Sequence, residues 1–383
     1  MEHLTSISNT TVVERPIRVG LMERHGMIDE VSHNPPPGVF YSFVNAPQSR
    51  LMKVLRSPIK GYLRSYNSPD HDLLESIMHP LVTDNRWILS LANFLECTAF
   101  ELPGIPLPRI MRVAFIKSLL LRDNLKKIYF WSDAGRRTLE TYGHVTDPRV
   151  LRKVTVVYPG IRRVPDELIR FHGEDVNILF SGTFFIKGGV HMIDAFEMAQ
   201  KRFPSIQLRL CCDERIDFNT PNHRMREEYL ARIKSNPSIT FGRVARQTLI
   251  QEILPHMDIY ALPTYADTFG FALLEAMAFG IPVISTTYFA IPEIVQHGVC
   301  GFLINTDHFD CERLVRGHVV DKIPVDFHEY MSEQMFLNLC TLIESIDLRR
   351  RMGEAGVAIA RSKFSFETRN QRMLEIYREA IET

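Results

Sequence analysis

The chain is predicted to be α/β, with two domains, the second of them built on a doubly wound parallel sheet. Three observations carry that expectation. Beyond residue 176, short apolar strands alternate strictly with helical stretches, the signature of βα units. The earlier half holds its own strand-like runs, at 17–22 (IRVGLM), 128–130 (IYF) and 154–157 (VTVV). A chain of 383 residues is long enough for two cores, each of roughly 150–200 residues.

Taken in order, the run 17–22 is a first buried strand, and it leads into a loop holding Glu23, Arg24, His25 and Gly26. Ligands in α/β sheets meet loops at the carboxyl ends of strands, so this loop is a candidate site edge. Three consecutive prolines, Pro35 to Pro37, exclude regular helix from the segment 32–43. The segment 50–64 carries five basic residues and no acid, interleaved with Leu51, Met52, Val54, Leu55, Ile59 and Leu63. It reads as a surface helix interrupted at Pro58 or, alternatively, as a peripheral contact with an anionic membrane. A second basic, apolar-rich stretch covers 110–130. Charged residues punctuated by Pro165 and Gly173 make 162–175 a linker between domains.

The second half is expected to run as strand 177–181, helix 189–202, strand 206–212, helix 224–234, strand 239–241 and short helix 248–254. Next come strand 259–262, a helix around Glu275 and strand 282–285. Right-handed crossovers place the loops after Phe180, Cys212, Phe241, Leu262 and Ser285 on one crevice. The last segment, 364–381, is an amphipathic helix packing through Phe364, Phe366, Met373, Ile376 and Tyr377.

Bulk properties exclude several classes. Lys+Arg and Asp+Glu both number 45, so nothing global points to nucleic acid. The charge is uneven, with 20 basic against 15 acidic residues through Ile161 and 25 against 30 beyond it. That asymmetry directs the first half toward an anionic partner. Six cysteines show no CxxC pair, and no window approaches the length of a membrane span. A cytoplasmic protein with free thiols is the expectation, peripheral at the inner face of the membrane if 50–64 binds lipid. No GxSxG, P-loop or GxGxxG string is present, and His25, His33, His71 and His79 lack visible catalytic partners. No cluster has metal-ligand spacing, so neither a metal nor a cofactor is expected.

The chemistry concentrates at 258–295, DIYALPTYADTFGFALLEAMAFGIPVISTTYFAIPEIV, with Glu275 set in an almost wholly apolar helix. A carboxylate there needs ligand hydroxyls or a paired cation. Asp267 lies eight positions upstream, where it caps the helix or faces the crevice. The helix N-terminus after Thr268-Phe269-Gly270 offers unpaired backbone N–H groups to a phosphate. Lys187-Gly188-Gly189 follows the strand end at Ser181-Gly182 and aims a cation at the same crevice. Phosphate flanked by hydroxyl-accepting carboxylates describes a sugar nucleotide diphosphate.

These residues resemble the family 4 retaining glycosyltransferases of the GT-B fold. The likeness covers 176–301, through the D-x7-E pair Asp267 and Glu275, then GIPVIS, IPEIV and the Gly298/Gly301 turn, and it continues in 348–367. In the first half only FWSDA (130–134) and VVYPGI (156–161) correspond. The resemblance implies two Rossmann-like domains facing a cleft. Residues 1–165 would bind the acceptor, 166–363 the nucleotide sugar, and the helix 364–383 would pack back on the first domain.

It further implies roles for single residues. Lys187 would bind the diphosphate, Asp267 the transferred sugar and Glu275 the ribose. Gly182, Thr183, Phe269, Gly270, Phe271 and Ala272 would line the donor, with Arg243 and Leu249 at the base. The implied reaction is metal-independent retaining transfer of a hexose from a UDP- or GDP-sugar to a hydroxyl of a glycan, lipid-linked or other glycoconjugate acceptor. The chain departs from the pattern in three places. Asp267 stands for the usual first Glu, Thr183 for an Arg, and Phe289-Ala290 for Gly-Gly. Another arginine, such as Arg24, would substitute for the lost cation. The missing Arg and glycines motivate one alternative, a non-catalytic GT-B partner subunit, and a second alternative keeps the fold but changes the reaction to sugar phosphorolysis or epimerisation.

Overall fold

The computed structural model describes residues 15–22, 26–44, 67–98, 108–171, 173, 175–316 and 319–382. The basic segment 50–64 and the loop residues Glu23, Arg24 and His25 lie outside them.

Two six-stranded sheets form the frame, each wholly parallel among its named strands. The first contains β1 (Ile17–Leu21), β2 (Val39–Phe43), β3 (Leu73–Ile77), β4 (Trp87–Leu91), β5 (Leu125–Phe130) and β6 (Val154–Val156), in the order β2-β1-β3-β4-β5-β6. The second contains β7 (Asn177–Ser181), β8 (Gln207–Cys211), β9 (Ile239–Phe241), β10 (Ile259–Ala261), β11 (Val283–Thr286) and β12 (Gly301–Ile304), in the order β12-β11-β10-β7-β8-β9. Strands such as NILFS and VIST carry no alternation of apolar and polar residues because both of their faces are covered. The strands expected in the second half agree with these bounds to within a residue, whereas the run read at 128–130 is the end of a longer strand that begins at Leu125.

The helices that matter are α1 (Gly26–His33), α2 (Arg109–Leu120), α3 (Asp133–Thr141), α4 (Gly189–Arg202), α5 (His223–Ser235), α6 (Phe271–Ala278), α7 (Val325–Glu344), α8 (Ile346–Lys363) and α9 (Phe366–Glu382). The stretch 110–130 resolves into α2 and β5, and the helix expected at 248–254 is three short, tightly or loosely wound turns. Pro255 stands at the start of the last of these turns, where a regular helix loses a donor. The segment 32–43 is not helical beyond His33. It continues past the prolines into β2.

The helix α9 returns to the first sheet, with Phe364, Phe366, Met373, Ile376 and Tyr377 all buried as expected. Its docking is polar at the centre. Glu75 on β3, 1% exposed, accepts from Tyr129 Oη at 2.5 Å and from Tyr377 Oη at 2.5 Å, and Tyr41 Oη lies 2.8 Å from Tyr377 Oη. A buried carboxylate is tolerable only with such partners. Asn370 Nδ2 adds a bond to the Asn34 carbonyl at 3.0 Å.

Candidate donor site

In the second sheet the strand order reverses between β7 and β10. A ligand crevice opens at the carboxyl ends of strands flanking such a reversal. The loops leaving these two strands carry Lys187 and Asp267, and they meet. Lys187 Nζ donates to Asp267 Oδ2 at 2.6 Å and to the Ala266 carbonyl at 2.8 Å. Both side chains are largely covered, at 21% and 16% exposure, so the pair is held rather than solvated. Gly188 makes this approach possible. Its φ is 75°, and a Cβ there would sit 2.1 Å from the Pro263 carbonyl oxygen. Behind the pair, Ser181 Oγ and the buried Tyr260 Oη are 2.7 Å apart and tie β7 to β10.

The start of α6 is prepared by Gly270 at φ 108°, and no side chain caps the helix. The helix is buried around Leu273, Leu274, Ala276, Met277 and Ala278. Of the four backbone donors expected here, one is already engaged. The Phe269 N–H donates to Asp267 Oδ1 at 3.1 Å, and its ring is fully buried. Phe269 therefore shapes the loop, while Gly270, Phe271 and Ala272 remain at the helix start. Gly182, with φ 106°, and Thr183 open the loop after β7, where the Thr183 carbonyl accepts from the Lys187 N–H at 2.9 Å. Leu249, in the crossover from β9 to β10, is half-buried against the core, and Arg243 is exposed just after β9.

Glu275 sits mostly inside, and burial pushes its carboxyl up from the ordinary range while Arg246 pulls it back down. The Arg246 guanidinium donates to Glu275 Oε1 and, with the same nitrogen, to Glu30 Oε1 at 3.0 Å. Glu30 is on α1, in the first domain. Thus the expected partner of Glu275 exists and is a cation. It was not identified in the sequence because GRVARQ offers two arginines three positions apart, and nothing local says which one turns inward.

A second unforeseen residue lies in IPEIV. Glu293 accepts the N–H groups of Asp133 at 2.8 Å and Ala134 at 2.7 Å, at the start of α3, and the Tyr158 hydroxyl at 2.9 Å. A carboxylate at a helix N-terminus neutralises unpaired donors and the dipole together. Here the acid comes from the second domain and the helix from the first. Burial and this carboxylate both push the Tyr158 hydroxyl up. Trp131 and Phe271 meet edge to face across the same seam, 6.0 Å apart.

Two parallel six-stranded sheets flanked by helices, with the second sheet's crevice at a reversal of strand order, define the GT-B fold. Residues 175–316 match the family described as glycosyl transferases group 1. The matched residues lie in the second domain, and the chain as a whole has the GT-B fold. It is similar to N-acetyl-alpha-D-glucosaminyl L-malate synthase of Bacillus anthracis, 42% identical over 60 residues that cover 16% of each chain. It is also similar to D-inositol 3-phosphate glycosyltransferase of Corynebacterium kroppenstedtii, 24% identical over 375 residues, covering 88% of this chain and 77% of the relative. Coverage of relatives is uneven, since the chain spans only 16% of the first one's length. The structure of Anabaena HepE in complex with UDP and glucose superposes with a TM-score of 0.59 at 17% identity, over 94% of this chain and 90% of that one. At that identity the likeness speaks for the fold.

Proposed function

We propose that the chain is a retaining, metal-independent glycosyltransferase that moves a hexose from a UDP- or GDP-sugar to a hydroxyl of a glycan, lipid-linked or other glycoconjugate acceptor. The observation that carries this reading is the Lys187–Asp267 pair at the strand-order reversal, beside an uncapped helix start. A diphosphate laid against that helix start would draw Lys187 toward its oxygens. The cation then stabilises the charge that develops as the phosphate–sugar bond breaks. Asp267, released from Lys187, would accept hydroxyl hydrogen bonds from the sugar, and Glu275 from the ribose. The departing phosphate takes the proton of the acceptor hydroxyl on the face it leaves, so no protein base is required. The UDP and glucose held by HepE are consistent with this chemistry on this fold.

Contact with an anionic membrane belongs to the same reading. Support comes from α2, whose Ile110 and Met111 are 83% and 57% exposed beside Arg109, Arg112 and Lys117. Such a face suits an anionic bilayer. Liposome flotation should rise with anionic lipid and fall with salt, and flotation indifferent to both removes this part.

The test of the main reading is a thermal-shift screen against UDP, GDP, ADP and their hexoses. One nucleotide should raise stability by about 2.7 kcal/mol at a hundredfold excess over its Kd. No shift with any of them would favour a non-catalytic partner subunit instead.

A further inference from the structure

Arg246 is the one cation seen bridging a site acid to the first domain, among the described residues. Its terminal nitrogen reaches Glu275 on α6 and Glu30 on α1 at once. The exposures differ in a telling way. The guanidinium side chain is 58% exposed, whereas the two carboxylates are only 22% and 14% exposed. Glu30 has a second basic neighbour, Arg162 of the interdomain segment, at 3.9 Å. A line of alternating charge therefore runs from the segment joining the sheets to the acid beside the helix start. Glu275 uses Oε1 for the bridge, and Oε2 makes no hydrogen bond among the described residues. The bridge and a bound hydroxyl can thus coexist on one carboxylate, which accepts at both oxygens.

We propose that Arg246 is a positioning residue that preorganises the cleft, holding the donor-site acid Glu275 and the first-domain acid Glu30 together before the donor arrives. This rests on the donor-site reading given above. The thermodynamic consequence is direct. A ligand that needs the closed cleft binds more weakly in proportion to the fraction of molecules that are open. Each half of the bridge therefore contributes to donor affinity, although Glu30 itself touches no donor. The bridge uses two hydrogens of one nitrogen, a number that a lysine ammonium also carries.

The experiment compares wild type with Arg246→Gln, Glu30→Gln, the double variant and Arg246→Lys. The ligand-free radius of gyration is measured by small-angle scattering, and the Kd for UDP, GDP and ADP by calorimetry. The expected result is a larger radius for both single glutamine variants. The Kd of the binding nucleotide should rise roughly tenfold for Arg246→Gln and threefold for Glu30→Gln, fold-changes of the size two-state coupling gives. The double variant should match Arg246→Gln alone, because both substitutions cut one bridge, and Arg246→Lys should recover most of the affinity. Additive effects with an unchanged radius would overturn the proposal, as would tighter nucleotide binding by Arg246→Gln. If wild type binds none of the three nucleotides, the donor-site reading fails instead, and the scattering still reports on the bridge.

Discussion

The first sheet places its central carboxylate, Glu75, under a helix from the far end of the chain and satisfies both oxygens with tyrosine hydroxyls. The second sheet keeps its acids, Asp267 and Glu275, at the crevice edge and pairs them with cations from neighbouring loops. The difference lies in exchangeability. Tyrosine bonds in a dry interior have no competitor, so Glu75 docks α9 and does nothing else. A lysine or arginine at the rim of a crevice can trade its carboxylate for a phosphate, and the acid is then free to take a hydroxyl. Similar α/β frames thus give a fastening in one half and a candidate site in the other.

Lys187→Met breaks the exchangeable half most severely. Turnover of the donor should fall roughly a hundred- to a thousandfold, the usual loss of a leaving-group or oxyanion donor, with the donor KM moving less than kcat. A loss confined to KM would assign Lys187 to ground-state binding alone. Glu275→Ala comes next, at roughly a hundredfold in kcat/KM and mostly through KM, since a ligand hydroxyl desolvated without its acceptor is costly to leave unpaired. Its melting temperature should stay near wild type, because Arg246 keeps Glu30 and remains half in solvent.

The fastening half is sharpened by Tyr377→Phe, which strips one oxygen of buried Glu75. Denaturant unfolding should show a loss of about 3 kcal/mol, with nucleotide Kd unchanged. A shifted Kd with intact stability would reverse the contrast drawn between the sheets.

The smallest effect concerns Glu96, which burial pushes up to about 7 against the opposing pull of the Asn93 and Ala92 amides. An acid raised in the folded state binds more protons there than when unfolded. Stability should therefore fall as pH rises from the ordinary glutamate value near 4.5 to about 7, by about 2 kcal/mol allowing for partial exposure. Glu96→Gln should flatten that slope in melts taken across the range, and an unchanged slope would assign it elsewhere.

The second half was legible because its signals are local. Short runs of three to seven mostly apolar residues marked β7 to β11, and the apolar setting of Glu275 announced a carboxylate that needs a partner. Lys187 and Asp267 could be sent to one crevice by counting strands alone. What sequence did not show is which side chains meet across the cleft. Arg246, Glu30 and Glu293 come together over long separations in the chain, and no spacing rule reaches that far. The Phe269 N–H was expected to face a phosphate, but Asp267 two residues earlier takes it, a short-range competition that a turn-forming aspartate wins readily. First-half strands were legible only in part, because Leu73–Ile77 and Trp87–Leu91 lie among polar, proline-containing segments that hide their length.

The central claim is that the donor lies on the carboxyl edge of the second sheet. Hydrogen exchange measured with and without a saturating nucleoside diphosphate, the one that stabilises most among UDP, GDP and ADP, tests it directly. The account predicts that slowed exchange concentrates at 182–188 and 266–275, the two loops joined by Lys187 and Asp267 and the helix start between them. Protection confined to the loops of the first sheet, with those two segments unchanged, would contradict it.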